Sequence, residues 1–196
     1  MSNTVKKATV VLLAMLCVVA CGDEAAFTDP RDGKKYKTVK IGTQTWMAEN
    51  LNYEAEGSKC YENNPANCAK YGRLYNWRTA MEVCPKGWHL PTNEEWENLV
   101  DFAGGEDTAG KKLKAESGWN ENGNGTDDFG FSALPGGYDY SGGSFVNVGN
   151  VGSWWDATED GGFFAYLRDM LYDYSFVRRN IGDNKSSLFS VRCVQG

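Results

Sequence analysis

Histidine is nearly absent from this sequence, which contains only His89, and no apolar run approaches the roughly 20 residues of a membrane-spanning helix. One histidine excludes a metal site built from several histidines, and a Ser-His-Asp triad would have to use His89. Because His89 lies between Trp88 and Leu90, a packed or capping role is favoured over catalysis. A dense basic stripe is also missing and the net charge is −6, so nucleic acid is not an expected partner.

The first 20 residues follow the pattern of a signal peptide. Lys6 and Lys7 precede an apolar run over residues 8–19, whose helix would rise about 18 Å against a hydrocarbon core of about 30 Å. Residues 18–21, VVAC, resemble a bacterial lipobox, in which a small residue precedes the cysteine that receives diacylglycerol. We expect cleavage before Cys21, whose lipid would anchor an exported protein at the outer membrane or cell surface rather than the inner membrane. The alternative is an ordinary signal peptide with an incidental cysteine.

These patterns divide the chain into a signal peptide over residues 1–20, a lipidated tether over 21–26 and a single domain over 27–196. Removing residues 1–20 takes away two lysines and no acidic residue, which leaves 176 residues with a net charge of −8. That length suits one domain with its own core. Aromatics at 13 % together with 23 glycines predict short strands and many turns.

Four cysteines follow Cys21, and an even number in an exported chain indicates two disulfides because the compartment is oxidising. Of the three connectivities, Cys60–Cys68 and Cys84–Cys193 are favoured. The first closes a loop rich in turn formers, and the second ties the region before the main helix to the last strand. A zinc site is the alternative, but spacings of 8, 16 and 109 residues lack the close pairs that zinc sites use.

The clearest local pattern is a helix that starts after Thr92. Thr92 and Glu95 have capping-box spacing, and an apolar stripe follows at Trp96, Leu99 and Val100. Shorter helices are predicted over residues 76–83 and 107–115, a hairpin turn at 41–43, and a mostly irregular stretch over 118–152. Strands are predicted over 153–158, 163–167, 172–178 and 188–194. This order indicates an α+β fold rather than alternating βαβ units.

Several phrases resemble the Fibrobacter major paralogous domain (FISUMP) family, which occurs in exported bacterial proteins and has no established activity. They are IGTQTWMAENLNY (41–53), YGRLYNW (71–77), CPKGWHLPT (84–92), FGFSALPGG (129–137) and FSVRCV (189–194). The family is similar, more distantly, to the formylglycine-generating enzyme (sulfatase-modifying factor) and C-type lectin-like fold. That likeness implies a short twisted antiparallel sheet with two helices and long loops, and it supports the Cys84–Cys193 pairing.

The same likeness argues against catalysis. Formylglycine-generating enzymes use a copper-binding pair of thiols shortly before the final Arg-Cys segment, whereas the corresponding residues 174–183 contain no cysteine. We therefore expect no enzyme activity and no cofactor. An oxidase relic is the less favoured alternative.

The loop that starts at Asn120 has two interpretations, a binding site for a structural calcium ion and a series of Asn-Gly turns. Oxygen side chains alternate there with glycine in the sixth position, but the twelfth position is Phe131 where calcium loops carry a bidentate Glu. The turn series is favoured. The weak candidate ligands are Asn120, Asn122, Asn124, Asp127 and Asp128.

Aromatic side chains crowd the last third of the chain. Neighbours along a strand face opposite sides, so we expect that Trp154 and Trp155 are not both in the core. Exposed rings stack on sugars, and a nearby Asp accepts hydrogen bonds from hydroxyl groups. The leading hypothesis is a non-catalytic module for a polysaccharide or surface protein, with Trp154, Trp155, Tyr138, Tyr140 and Asp139 as candidate ligand-binding residues. The alternative is a structural envelope protein that needs no small ligand.

Overall fold

Two five-stranded sheets and four helices make up most of the computed structural model, which describes residues 25–140 and 143–196. The helices are α1 (Pro65–Tyr71), α2 (Trp77–Val83), α3 (Asn93–Phe102) and α4 (Glu106–Leu113). The strands are β1 (Ala26–Thr28), β2 (Lys35–Ile41), β3 (Gln44–Met47), β4 (Leu74–Tyr75), β5 (Trp88–His89), β6 (Tyr138–Tyr140), β7 (Ser144–Val146), β8 (Val151–Asp160), β9 (Phe164–Leu171), β10 (Arg178–Asn184), β11 (Phe189–Ser190) and β12 (Val194–Gln195). The signal peptide and Cys21 lie outside the described residues, and β1 begins one residue before the predicted domain boundary.

The α+β class is confirmed, but the expectation of one short sheet and two helices is wrong. The first sheet has the order β1-β2-β3-β12-β5 and is antiparallel throughout. The second has the order β10-β9-β8-β11-β4, with β11 parallel to β8. A small β6–β7 hairpin accompanies them. The predicted last strand is divided between β11 and β12, so this segment links the two sheets.

Local capping explains where the helices start. In α3 the Thr92 hydroxyl accepts a hydrogen bond from the Glu95 amide at 3.3 Å while the Glu95 carboxylate accepts one from the Thr92 amide at 2.9 Å, which confirms the capping box. Asn76 caps α2 through the Thr79 amide at 2.9 Å. Our prediction missed α1, although Asn64 caps it and Pro65 occupies its first position.

The strand predicted over residues 172–178 is wrong, because a buried lysine holds part of this segment in a turn. The ammonium of Lys114 donates to the carbonyls of Leu171, Tyr172 and Tyr174 at 3.0, 3.4 and 2.9 Å. These contacts fix the carbonyls at the end of β9 and in the turn that follows it, and β9 ends at Leu171 while β10 starts only at Arg178. Burial lowers the pKa of Lys114 to about 8.

Both faces of the second sheet are covered, and this places two tryptophans in the core. Trp154 packs with Trp96 of α3 in one cluster, while Trp155 packs with Phe189 in the other. Both side chains have 0 % exposure. They do face opposite sides, but the prediction that they are not both in the core is wrong, because each side has its own core.

The two predicted disulfides are confirmed. Cys60–Cys68 closes a loop that includes the first half of α1, with 4.9 Å between Cα atoms. Cys84–Cys193 joins the end of α2 to the segment between β11 and β12, with 5.9 Å between Cα atoms. The second bond therefore connects two regions that are 109 residues apart in the chain.

Candidate functional site

A small pocket lies between the β6–β7 hairpin and one face of the second sheet. Its volume is about 190 Å³, and β8, β9 and β10 all contribute to its lining. We call it the tyrosine pocket. Its principal polar and aromatic lining residues are Tyr138, Tyr140, Asn147, Asp169, Arg178 and Asn180.

Three strands bring a polar cluster together at the base of this pocket. Ser153 on β8 pairs in register with Asp169 on β9, which in turn pairs with Arg178 on β10. Because paired residues share a face, these side chains meet. The Asp169 carboxylate accepts from the Ser153 hydroxyl at 2.7 Å, from Arg178 Nη2 at 2.7 Å and from Asn180 Nδ2 at 3.1 Å.

This carboxylate is 3 % exposed, and burial raises the pKa of Asp169 although its three partners favour the charged form. A carboxylate has about four acceptor positions, so three donors leave room for one more. Arg178 is different, because its side chain is 49 % exposed. The cluster is therefore a fixed carboxylate joined to a guanidinium that solvent reaches.

The hairpin supplies the aromatic side of the pocket. Tyr138 and Tyr140 are two apart on β6, with ring centroids 5.0 Å apart at 86°. The Tyr138 hydroxyl accepts a hydrogen bond from Asn147 Nδ2 at 3.0 Å and donates one to the Tyr140 hydroxyl at 3.4 Å. The centroid of the Tyr138 ring lies 5.2 Å from that of Phe189. Burial and the bond to Tyr140 raise the pKa of Tyr138 to about 12. Tyr138 is thus held in place, whereas Tyr140 is 49 % exposed.

The structure brings only two of the five predicted ligand-binding residues to this pocket. Asp139 lies between the tyrosines on the strand and is buried away from the pocket, with its Oδ2 atom 3.2 Å from Lys59 Nζ. The indole of Trp154 donates to Asn50 Oδ1 at 2.8 Å and that of Trp155 to the Tyr75 carbonyl at 2.7 Å. The prediction that a ligand stacks on Trp154 or Trp155 is wrong, since neither ring reaches the surface.

The polar half of the pocket was not predicted from the sequence. Asp169 stands at an inward position between Leu167 and Leu171 on β9, and Arg178 and Asn180 are two apart on β10. The sequence therefore indicated that Asp169 is a charged residue on an apolar face. Its hydrogen-bond partners could not be predicted, because they depend on the register of three strands.

Three of the five weak calcium candidates make side-chain hydrogen bonds within the protein. Asp127 accepts from the amide and hydroxyl of Ser132 at 2.7 and 2.5 Å. Asn124 accepts from the Trp119 amide at 3.0 Å, and Asn120 donates to Asn150 at 3.0 Å. Asn122 has a positive φ of 62°, as an asparagine turn does, and Asp128 is exposed. Within residues 25–140 and 143–196 no three His, Cys, Asp or Glu side chains form a group that could hold a metal ion.

The single histidine lies at the start of α3. His89 Nε2 is 2.7 Å from Glu95 Oε1, and the other oxygen of Glu95 completes the capping box of this helix.

In the part of the chain that the structure describes, no helix has the length and apolar character needed to span a membrane.

Comparison with known proteins gives the family of the chain. Neither the curated proteins nor the solved structures include a match, so the C-type lectin-like fold stays a prediction. Residues 39–195 match the family described as the Fibrobacter succinogenes major domain. This range contains the whole second sheet, all four helices and the tyrosine pocket, whereas β1 and the start of β2 precede it. The chain therefore belongs to the Fibrobacter succinogenes major domain family.

Proposed function

We propose that this domain is a non-catalytic binding module of an exported lipoprotein, and that the tyrosine pocket holds one sugar ring of a glycan. The observation that carries the proposal is the half-exposed ring of Tyr140 beside the ordered Asp169–Arg178 pair. A sugar presents C–H groups on its faces and hydroxyls at its edge. One aromatic wall and one polar base suit those two surfaces.

The size of the pocket supports a single ring. Pockets for drug-sized ligands occupy roughly 300–1,000 Å³, whereas this one occupies about 190 Å³. In our proposal the sugar packs on Tyr140, donates a hydroxyl hydrogen to Asp169 and accepts a hydrogen bond from Arg178. Charge-assisted bonds of this kind are stronger than neutral ones and fix the orientation of the ligand.

The cysteines argue against copper-dependent oxidation of a thiol, the reaction of the formylglycine-generating enzymes. All four in the described residues are joined in disulfides, so these residues offer no thiol pair for copper(I). The sequence pattern before Cys21 supports the lipid anchor. In this proposal the acyl chains hold the protein at the outer membrane or cell surface, and the domain meets glycans there.

Replacing Tyr140 with alanine should weaken glycan binding about tenfold, which corresponds to about 1.4 kcal/mol. The change removes the exposed aromatic wall and leaves Tyr138 packed on Phe189. The measurement is a glycan array with the purified full-length protein, followed by titration of the best glycan. Tyr174→Ala is the matched control, because Tyr174 is 47 % exposed and lies outside the pocket.

Equal losses in the two tyrosine variants would count against the pocket. An array on which the wild-type protein retains no glycan, combined with capture of a specific surface protein, would favour the structural envelope role instead.

A further inference from the structure

A second and larger concavity lies between β2, residues 48–52 and α1. Its volume is about 530 Å³, and among the described residues it shares no lining residue with the tyrosine pocket. We call it the lysine groove, after the four lysines in its lining. They are Lys34, Lys35, Lys37 and Lys70.

The lining of this groove has the opposite charge to the protein as a whole. Among the described residues of the lining, four lysines and the single acidic residue Glu49 give a formal charge of +3, whereas the chain carries −6. Lys37 has an interaction of its own, and Lys34 pairs with Asp32. Lys35 and Lys70 are both exposed, so they are the lysines that a ligand would meet. Asp32 lies 3.3 Å from the ammonium of Lys34 and offsets part of this charge. A local reversal of charge in a concave site raises the concentration of anions there.

Several contacts hold the charged groups at the groove. The Glu49 carboxylate accepts from the backbone amide of Lys37 at 3.0 Å. The ammonium of Lys34 donates to the Asn52 carbonyl, and that of Lys70 lies 4.7 Å from the ring centroid of Tyr71. Lys35 is exposed and is two residues from Lys37 on β2, so both lie on the same face of that strand.

The lining of the groove lies partly inside and partly outside the range that matches the family. Residues 48–52, 68–72 and 130–134 contribute to the wall and fall inside the matched range of 39–195. Lys34, Lys35 and Lys37 precede that range. Three of the four lysines therefore lie on a segment that the family match does not include, and Lys70 lies inside the match.

The dimensions indicate what kind of anion fits. A volume of about 530 Å³ lies in the range of about 300–1,000 Å³ that ligand sites occupy, and it exceeds what one inorganic ion fills. Ammonium groups act as point charges and donate hydrogen bonds to carboxylates in many orientations. We propose that the lysine groove binds a segment of an acidic polysaccharide, whose carboxylates pair with lysines on both sides of the groove.

Binding of polygalacturonate by the purified full-length protein tests this. The wild-type protein should bind polygalacturonate, bind its methyl-esterified form at least tenfold more weakly, and lose affinity as salt rises because exposed charges are screened. The double variant Lys35→Gln/Lys70→Gln should bind at least tenfold more weakly. Lys40→Gln/Lys86→Gln removes the same charge from exposed positions outside the groove and should bind within twofold of wild type.

Other results would overturn the proposal. Equal losses in the two double variants would indicate diffuse attraction, and equal binding of the esterified polymer would indicate that carboxylates are not recognised. Complete displacement by dilute inorganic phosphate would indicate a simple anion site. Thermal unfolding of each variant, with the single variants Lys35→Gln and Lys70→Gln, separates loss of binding from loss of fold.

Discussion

Replacing Cys84 and Cys193 with alanine should lower the free energy of unfolding by about 4.8 kcal/mol, because the unfolded chain regains the entropy that closing a loop of this length takes away. The bond closes a loop over a separation of 109 residues, and its removal frees the unfolded chain far more than the folded one. The same change at Cys60 and Cys68, which are 8 residues apart, should cost about 2.5 kcal/mol. Alanine avoids an unpaired hydroxyl at the fully buried Cys193.

Urea unfolding of the wild-type protein and the two double variants, without reductant, measures both values. The Cys60/Cys68 variant is the matched control, because it too loses one disulfide. Equal losses in the two variants would show that loop length does not set the stability, and that local packing around each bond does.

Replacing Asn50 with alanine should cost about 3–5 kcal/mol, because it leaves a buried charge without its main acceptor. Asn50 Oδ1 accepts from Arg192 Nε at 3.1 Å and Nη2 at 2.7 Å, and from the Trp154 indole at 2.8 Å. Arg192 has 0 % exposure, and burial lowers its pKa to about 9, so it stays charged at neutral pH. No carboxylate among the described residues forms an ion pair with it; the carbonyls of Phe131 and Ser132 are its other acceptors.

The control for this prediction is Asn50→Asp, which keeps an acceptor for Arg192 and loses the amide that donates to the Tyr71 carbonyl at 2.9 Å and to the Ser190 hydroxyl at 3.3 Å. We expect a smaller loss from aspartate than from alanine in the same urea measurement. If aspartate costs as much as alanine, the donated bonds matter more than the charge of Arg192.

Local features of the fold were predictable from sequence because their causes are local. The capping box at Thr92 and the β2–β3 turn, where Ile41 pairs with Gln44, depend on residues within a few positions of each other. The disulfides followed from the cysteine count and loop composition. The turn after β9 was not predictable, because its cause is Lys114, 57–60 residues earlier in the chain.

The candidate site was only half predictable for the same reason. Tyr138 and Tyr140 were predicted as ligand-binding residues although their strand, β6, lies in the stretch that was predicted to be mostly irregular. Alternation along a strand correctly set Trp154 and Trp155 on opposite faces. Whether a face is covered depends on packing by distant elements, which the local pattern does not contain. The link between Asp169 and Arg178 likewise requires the β9–β10 register.

A crystal structure of the protein with the glycan that it binds most tightly on the array tests the central claim most directly. We predict a sugar ring packed on Tyr140, with a hydroxyl within hydrogen-bond distance of Asp169 and of Arg178. A sugar bound elsewhere, with the tyrosine pocket containing only solvent, would contradict the proposed function.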